Sequence, residues 1–435
     1  MTYIEFFDRS STENIAACLT HAPERVILIG KKGKLVEKYA EKYTSVFSDR
    51  HQEIEFISKT VSRSNLDESI ELLQSIVDKY DNCVFDITGG EEILNVALGI
   101  VCERNSDKNI QIQRFNLENN RVYDCDKDGN TIYKDTPLLS VRENVRIYGG
   151  DIVYGNVDED KTYIWNLDND FRKDIDTIWN IYKVGVKSWN SQMSVLASVE
   201  EVGTVDKESL STEAEVAKIV EHLAEGKLRY KIVKRIINDL IKKGLITRFY
   251  EDGETFRITY KNAQVKRCLT KAGQALEMKI YVMAKDAQDK GKNIYSDVVN
   301  GVLIDWDGEC HDEETEDIYD TENEIDVFLM HNLVPVFVSC KSGRVTADEL
   351  YKLETVAERF GSQYSRKVLV ATSVSKLGKQ GKYLEQRAED MGIKIIDRVH
   401  KLTEVQLARE IKKLWLRPQP DNKKKLIVKN PNCKV

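Results

Sequence analysis

The first 116 residues alternate short β-rich apolar runs with segments of helical periodicity, and this pattern restricts the fold more than any other feature. Strands separated by single helices are typical of a parallel, doubly wound α/β sheet. The pattern predicts strands at 4–7, 25–29, 53–57, 83–87 and 110–116, and helices at 12–21, 33–47, 66–80 and 91–104. We therefore expect a first domain over residues 1–150. Ligands of such sheets bind beyond the carboxyl ends of the strands.

Polar, basic and small residues follow three of these strands, at the edge where a ligand is expected. Paired glycines at a strand-to-helix turn let a ligand approach the backbone closely, and a helix N-terminus offers unpaired N–H groups to an anion. The sequence thus predicts a phosphate or nucleotide site formed by Ser10, Ser11, Thr12, Gly30, Lys31, Thr88, Gly89, Gly90 and Glu91. Two simpler interpretations stay open. Thr88 and Glu91 have the spacing of a capping box, and Lys31 with Lys32 has the composition of a solvated turn.

Residues 151–270 have the pattern of a helical region followed by a winged helix. Helical periodicity covers 163–200, 211–223 and 230–243, and two strands at 245–250 and 255–260 flank an acidic turn. Three tryptophans, Trp165, Trp179 and Trp189, are expected to be packing anchors. The third helix has a basic face that is suited to nucleic acid, formed by Lys231, Lys234, Arg235, Lys242 and Lys243. An ordinary solvated face of a spacer or dimer-forming domain explains these residues equally well, and the acidic wing tip favours it.

Two β-rich runs at 323–330 and 333–340 predict a hairpin with its turn near Asn332. That register places Asp326 opposite Ser339, with Lys341 two residues further along the same face. A carboxylate beside an ammonium group suits phosphodiester hydrolysis, because the carboxylate binds Mg²⁺ or Mn²⁺ and the ammonium stabilises the charge that develops on the phosphate. The alternative is an ordinary cross-strand ion pair. Lys341 ends an apolar strand, where an unpaired charge is costly, and this favours a functional site.

The surrounding pattern predicts a third domain over 271–417. Helix 272–290, strand 295–304, the hairpin, helix 346–359, strand 367–371, helix 378–391, strand 393–396 and helix 404–413 follow in order. Glu324 lies on the same strand face as Asp326, either as a further ligand or as an exposed residue. Asp305, Asp307 and the acidic run 309–320 are expected to form a solvated surface, and 418–435 a basic tail.

Composition limits the setting in which these sites work. The net charge is -7, so attraction to a polyanion requires a local basic patch. Eight cysteines without paired spacing predict reduced thiols in a cytoplasmic protein. No apolar run reaches membrane-spanning length, so we expect no membrane association.

The quoted motifs resemble two known families. The Ser10–Thr12 loop and the turn from Asp86 to Glu91, which continues to Asn95, resemble the CARF domain, the Rossmann-like sensor of CRISPR-associated ancillary proteins. The acid, hairpin turn and lysine resemble the PD-(D/E)xK restriction-endonuclease-like superfamily. Ser339 replaces the second acid of that signature.

This resemblance implies an ancillary effector of type III CRISPR systems. It would be a homodimer that binds a cyclic oligoadenylate, commonly the tetra-adenylate, and cleaves RNA or DNA with Mn²⁺ or Mg²⁺. The setting of Gly273, Leu276 and Glu277 resembles the first helix of the nuclease superfamily, where an acid completes the metal site. The resemblance thus makes Asp326 and Glu277 the metal ligands, Glu324 a further acid and Lys341 the stabiliser, although a solvated helix-face position explains Glu277 equally well.

Two other functions fit the same sequence. One is a ligand-responsive winged-helix transcription regulator with an inactive nuclease fold, which Ser339 supports and the negative net charge opposes. The other is a nucleotide-binding scaffold or a sensor that degrades its own ligand.

Overall fold

The computed structural model describes residues 1–62, 65–116, 119–125, 131–225, 228–271, 273–308 and 322–417. Ala272, the acidic run 309–320 and the predicted tail 418–435 lie outside these ranges. Across the described ranges, no helix is both long enough and apolar enough to span a membrane.

The N-terminal part forms the expected doubly wound sheet. Its strands are β1 (Thr2–Phe6), β2 (Arg25–Gly30), β3 (Glu55–Thr60), β4 (Cys83–Asp86), β5 (Ile110–Asn116), β6 (Arg121–Cys125) and β7 (Thr131–Asp135), in the order β3-β2-β1-β4-β5-β6-β7. The first five are parallel, as predicted, whereas β6 and β7 extend the sheet in antiparallel fashion and are additional to the prediction. The helices are α1 (Ser11–His21), α2 (Gly33–Asp49), α3 (Leu66–Lys79), α4 (Glu92–Arg104) and α5 (Val141–Ile147).

The middle part has the arrangement of a winged helix. Its elements are β8 (Asp151–Ile152), α6 (Asn169–Val184), α7 (Val186–Val202), β9 (Thr204–Asp206), β10 (Ser211–Glu215), α8 (Val216–Glu225), α9 (Lys234–Lys242), β11 (Ile246–Glu251), β12 (Thr255–Tyr260) and α10 (Ala263–Thr270). The hairpin of β11 and β12 is confirmed, and β10 pairs with β12 to complete a sheet in the order β11-β12-β10-β9.

Three helix predictions in this part were wrong in their extent, one of them because α9 begins at Lys234 and not at residue 230. The helical segment 163–200 is divided at Gly185 into α6 and α7, and the segment 211–223 begins as strand β10. Along β10 the buried residues Thr212 and Ala214 alternate with more exposed neighbours, because successive side chains of a strand point to opposite faces of the sheet. The three tryptophans are buried, as expected of packing anchors.

The C-terminal part contains a six-stranded sheet. Its elements are α11 (Gln274–Lys285), β13 (Gln288–Asp289), β14 (Lys292–Asn293), β15 (Asp297–Asp305), β16 (Glu322–His331), β17 (Val334–Lys341), α12 (Ala347–Gly361), β18 (Arg366–Ala371), α13 (Lys379–Asp390), β19 (Ile393–Ile396) and α14 (Glu404–Ile411). The strand order is β19-β18-β17-β16-β15-β8. The edge strand β8 therefore comes from a distant part of the chain, and Ile152 pairs with Ile304.

The two faces of this sheet pack against different parts of the protein. Val327 and Leu329 of β16 belong to the hydrophobic core shared with the winged-helix part. Phe328 and Met330, on the opposite face, belong to the core shared with α1 and α2 of the N-terminal sheet. The C-terminal sheet is thus sandwiched between the other two parts, which brings the candidate sites of all three into one packed structure.

Candidate functional site

The hairpin of β16 and β17 places Asp326 and Lys341 together, as the register predicts. The Ser339 hydroxyl donates to Asp326 Oδ2 at 3.3 Å, and the Cys340 N–H donates to the same oxygen at 2.5 Å. Lys341 Nζ lies 3.7 Å from this oxygen. Burial raises the pKa of Asp326, while Lys341 and the Cys340 N–H act in the opposite direction. Ser339, at the position of the missing acid, therefore orients the Asp326 carboxylate.

Glu349 is a second partner of Lys341 that the sequence analysis does not include. It lies in the first turn of α12, and its Oε2 is 3.1 Å from Lys341 Nζ. Burial lowers the pKa of Lys341, but the charges of Asp326 and Glu349 outweigh this and leave the pKa above its ordinary value. Glu349 lies within the predicted helix 346–359. Local periodicity cannot predict, however, that a helix residue contacts a residue of a separate strand.

Glu277 is buried at the start of α11, with an exposed fraction of 5%. Its Oε2 atom has no hydrogen-bond partner among the described residues. Burial, followed by the charges of Asp326 and Glu324, raises the pKa of Glu277 well above its usual value. The helix begins after Gly273, whose φ of 85° is left-handed, and a Cβ atom there would lie 2.8 Å from Glu277 Oε1. Glu277 is therefore not a solvated helix-face residue.

Glu324 and Asp326 both line a cavity of about 430 Å³ between β16, β17 and α12, which we call the Asp326 groove. Lys341, Glu349 and Lys352 line the same groove. Glu324 forms an ion pair of 2.8 Å with Lys271, so it already has a cationic partner. The shared face predicted for Glu324 and Asp326 is present.

The donor set of this site fits a hard divalent cation through two carboxylates. No group of three or more His, Cys, Asp or Glu residues suited to a metal ion occurs within the described ranges. Mg²⁺ keeps several waters and requires only one or two protein carboxylates. Asp326 and Glu277 would supply these, and the buried oxygen of Glu277 without a hydrogen-bond partner among the described residues is consistent with such a cation.

A second cavity of about 430 Å³ lies at the carboxyl ends of β1, β2 and β4, and we call it the sheet-edge cavity. Gly30, Lys31, Gly90 and Glu91 line it, together with Asp8, Arg9, Lys32 and apolar neighbours. Lys31 pairs with Glu91 at 2.5 Å. The cavity therefore lies where strand order changes direction in a doubly wound sheet, the usual ligand position.

Other predicted ligand residues lie elsewhere. Ser10, Ser11 and Thr12 are fully buried, and the hydroxyls of Ser11 and Thr12 contact Tyr43 and Tyr148. Their prediction as ligand contacts rested on sequence position alone, and the structure gives Ser11 and Thr12 a packing role. Asn95 is exposed on α4 and does not line the cavity.

The capping-box interpretation of Thr88 and Glu91 was wrong. Helix α4 begins at Glu92 with Glu91 as its N-cap, three residues later than a Thr88 cap requires. The Thr88 hydroxyl instead donates to Asp86 and accepts the Phe115 N–H at 2.6 Å. Thr88 thereby holds the turn that contains Gly89 and Gly90 against β5.

Asp86 gives the N-terminal sheet a pH dependence. Burial raises its pKa to about 7, although hydrogen bonds from Thr88 lower it. The native state thus keeps a proton that the unfolded chain loses near pH 4, so the free energy of unfolding falls as pH rises from 4 to 7. Each pKa unit corresponds to about 1.4 kcal/mol. We therefore expect the fall in the free energy of unfolding between pH 4 and 7 to be smaller in Asp86→Asn than in the wild type, by up to about 4 kcal/mol.

Urea unfolding of the wild type and of Asp86→Asn at pH 5 and pH 8 measures this difference. Asp78→Asn, at a carboxylate that is not buried, is the control and should keep the wild-type pH dependence. An equally steep loss of stability in Asp86→Asn would show that another group is responsible.

Glu13 contacts both the glycine turn of the N-terminal sheet and the residues that follow α12. A Cβ atom on Gly89 would lie 3.3 Å from Glu13 Oε2, so the glycine turn adjoins this buried carboxylate. Glu13 Oε1 accepts hydrogen bonds from the Tyr364 hydroxyl and, at 3.3 Å, from Gln363 Nε2. Burial raises the pKa of Glu13 to about 7, and the Tyr364 hydrogen bond lowers it.

The same end of α12 is fixed to the N-terminal part at two more points. Asn144 Nδ2 donates to the Phe360 carbonyl at 2.7 Å, and Arg359 donates to the Tyr148 carbonyl at 2.5 Å. The opposite end of α12 carries Glu349. A single helix therefore spans from the N-terminal sheet to Lys341.

The structure is similar to that of Can2 from Sulfobacillus thermosulfidooxidans in complex with cyclic tetra-adenylate. The TM-score is 0.65 at 13% sequence identity, over 95% of this chain and 99% of Can2. Protein VC1899 from Vibrio cholerae is also similar, with a TM-score of 0.67 at 16% identity, over 95% of this chain and 96% of that chain. No protein-family model and no curated protein matches the sequence. The shared feature is the fold along nearly the whole chain.

Proposed function

We propose that this protein is a metal-dependent nuclease that a cyclic oligoadenylate activates, as an effector of type III CRISPR defence. The observation that carries the proposal is the pair of Asp326 and Lys341 on neighbouring strands, together with the buried carboxyl of Glu277 on α11. Can2, which has the same fold, has been solved with cyclic tetra-adenylate bound. Burying two carboxylates beside a lysine costs free energy, and such arrangements are typical of functional sites.

The sheet-edge cavity is the proposed sensor site. Gly30 and Gly90 bring the backbone close to the ligand, while Lys31 and Lys32 supply positive charge for its phosphates. A cyclic tetra-adenylate has internal symmetry, so a homodimer with a two-fold axis would present one such cavity to each half of the ring.

Phosphodiester hydrolysis is assigned to Asp326 and Lys341 of the Asp326 groove and to the buried Glu277 of α11, which does not itself line the groove. Asp326 and Glu277 would hold Mn²⁺ or Mg²⁺, which polarises a phosphate and lowers the pKa of bound water. Lys341, held by Asp326 and Glu349, places an ammonium group where it stabilises charge on the phosphate. Ser339 and the Cys340 N–H fix the orientation of Asp326.

Metal binding can be tested without measuring cleavage. We expect Mn²⁺ to raise the melting temperature of the wild type at pH 8, because the cation relieves repulsion between the two buried carboxylates. Glu277→Gln should reduce this increase to less than half, while its melting temperature without metal stays at or above that of the wild type. Differential scanning fluorimetry with and without Mn²⁺ measures both quantities, and Glu385→Gln on α13 is the control. An undiminished Mn²⁺ effect in Glu277→Gln would remove this residue from the metal site.

The contact of Glu13 with Tyr364 provides a route for gating. A ligand activates the protein only if it binds more tightly to the active arrangement than to the inactive one. The glycine turn beside the sheet-edge cavity adjoins Glu13. We expect Tyr364→Phe to leave ligand affinity within about twofold of the wild type. The ratio of cleavage rates with and without ligand should fall about five- to tenfold, as loss of a hydrogen bond to a carboxylate implies. Tyr383→Phe, on the exposed surface of α13, should change neither quantity, and full activation of Tyr364→Phe would exclude this route.

The decisive experiment for the proposed function is cleavage of labelled single-stranded RNA, single-stranded DNA and supercoiled plasmid. Each substrate is incubated with Mn²⁺ or Mg²⁺, with and without cyclic tetra-adenylate. Cleavage that requires both metal and ligand is the expected result, and it would also identify the substrate. Loss of the cyclic ligand that Asp326→Asn does not affect would instead support a sensor that degrades its own ligand.

The winged-helix arrangement of the middle part keeps a transcription regulator as the second candidate function. Sequence-specific binding of duplex DNA by residues 230–243, without metal-dependent cleavage, would favour it. Ser339 in place of an acid is consistent with this alternative.

A further inference from the structure

Two segments of the winged-helix part carry positive charge without any acidic residue. Residues 177–199 contain Lys183 and Lys187, and residues 226–238 contain Lys227, Arg229, Lys231, Lys234 and Arg235. Neither segment contains Asp or Glu, although the whole chain has a net charge of -7. The local basic patch that a polyanion requires is therefore concentrated in these two segments.

The fold brings the two segments together. The Val233 N–H, just before α9, donates to Gln192 Oε1 of α7 at 2.7 Å. The Arg235 guanidinium lies against Gly185, because a Cβ atom there would be 3.1 Å from its Nη2. The first turn of α9 thus packs at the junction of α6 and α7, at Gly185, which lies between Lys183 and Lys187 in the sequence.

The same junction adjoins the Asp326 groove. Asn190 Nδ2 donates to the Ser342 carbonyl at 2.9 Å, and the Ser342 hydroxyl donates to Asn190 Oδ1 at 3.3 Å. Ser342 directly follows Lys341. Lys187 precedes Asn190 by three residues and lies on the same face of α7. Lys187 therefore lies about one helical turn from the residue of α7 that contacts the segment after Lys341.

These cations are available to a ligand. Lys187, Lys231, Lys234 and Arg235 are exposed, and Lys183 is half-buried. None of the five forms an ion pair with another described residue. By contrast, Lys261, Lys266, Lys271 and Lys279 of the neighbouring segment each pair with a carboxylate.

We propose that Lys183, Lys187, Lys231, Lys234 and Arg235 form a surface that binds the sugar-phosphate backbone of the strand cleaved in the Asp326 groove. This inference rests on the proposed function. The surface uses the first turn of α9, at the junction of α6 and α7, whereas the wing tip carries Glu251, Asp252 and Glu254 and would repel a duplex. Backbone binding without base readout is the mode that such charges support.

The test measures binding separately from cleavage. A labelled single-stranded oligonucleotide is titrated with the Asp326→Asn protein in EDTA, with cyclic tetra-adenylate, over 50 to 200 mM NaCl. The binding variant is Lys231→Glu/Lys234→Glu/Arg235→Glu. The control, Lys376→Glu/Lys379→Glu/Lys382→Glu, reverses three exposed cations at and near α13 and changes the net charge equally.

We expect the binding variant to weaken affinity at least tenfold at 50 mM NaCl and to lower the slope of log K against log salt by about 2 to 3. The control should stay within about threefold of Asp326→Asn alone. Glutamine substitutions at the same three positions, with unchanged circular dichroism, should give an intermediate loss and exclude misfolding. Equal binding by the binding variant and the control would overturn the inference.

The outcomes also separate this inference from the proposed function. If the protein with Asp326 intact cleaves nothing but the strand still binds through these residues, the surface is established and the nuclease is not. If the binding variant with Asp326 intact cleaves long strands with an unchanged KM, the surface is excluded and the nuclease stands.

Discussion

Asp326→Asn is expected to lower ligand-activated cleavage about a thousandfold or more, with little change in folding. Asparagine keeps the shape of the side chain and an acceptor for the Cys340 N–H, but it removes the charge that would hold the metal ion. A loss of this size corresponds to about 4 kcal/mol of transition-state stabilisation. Lys341 retains Glu349 as a partner, so the groove should not collapse.

Initial cleavage rates over a range of Mn²⁺ concentrations check this prediction. Asp390→Asn, at an exposed carboxylate of α13 that lines neither cavity, is the matched control and should cleave like the wild type. Lys341→Ala should also be inactive. Cleavage by Asp326→Asn at the wild-type level in a clean preparation would place the active site elsewhere.

Gly90→Ala is expected to weaken ligand binding at the sheet-edge cavity. Gly90 has a φ of 91°, and a Cβ atom there would overlap the Phe6 side chain and lie 3.0 Å from the Phe6 carbonyl oxygen. The left-handed backbone alone costs about 1 to 2 kcal/mol for alanine, and the overlap must also be relieved by moving the turn. We therefore expect ligand affinity to fall between tenfold and a hundredfold.

Isothermal titration with cyclic tetra-adenylate measures this loss. Gly99→Ala, in the exposed middle of α4 with no atom within 4 Å of the new Cβ, is the control. It should bind normally and gain up to about 1 kcal/mol of stability, since alanine is the better helix former. Normal ligand binding by Gly90→Ala would mean that the ligand does not contact this turn.

Features that depend on local pattern could be predicted from the sequence. The period of two along the hairpin fixed which residues share a face, so Asp326 and Ser339 face each other as expected. The strands and helices of the C-terminal part lie within a few residues of their predicted bounds, except that α11 ends five residues early, at Lys285. Each of these features is determined by residues close together in the chain.

Features that depend on distant partners could not be predicted. Ser11 and Thr12 have the composition of a ligand loop, yet their hydroxyls form hydrogen bonds with Tyr43 and Tyr148. Glu349 reaches Lys341 only because α12 packs on β17, and Glu277 is buried only because α11 packs on the same sheet. A local pattern contains no information about such long-range packing.

The position of β8 has a consequence for how the protein is made. Domains generally fold from the N-terminus during synthesis. The N-terminal sheet and β8 are therefore synthesised well before β15, the strand with which β8 pairs. The edge of the C-terminal sheet is completed by a segment that follows the N-terminal sheet in the chain. A nascent chain therefore completes the C-terminal sheet only after the N-terminal sheet has been made.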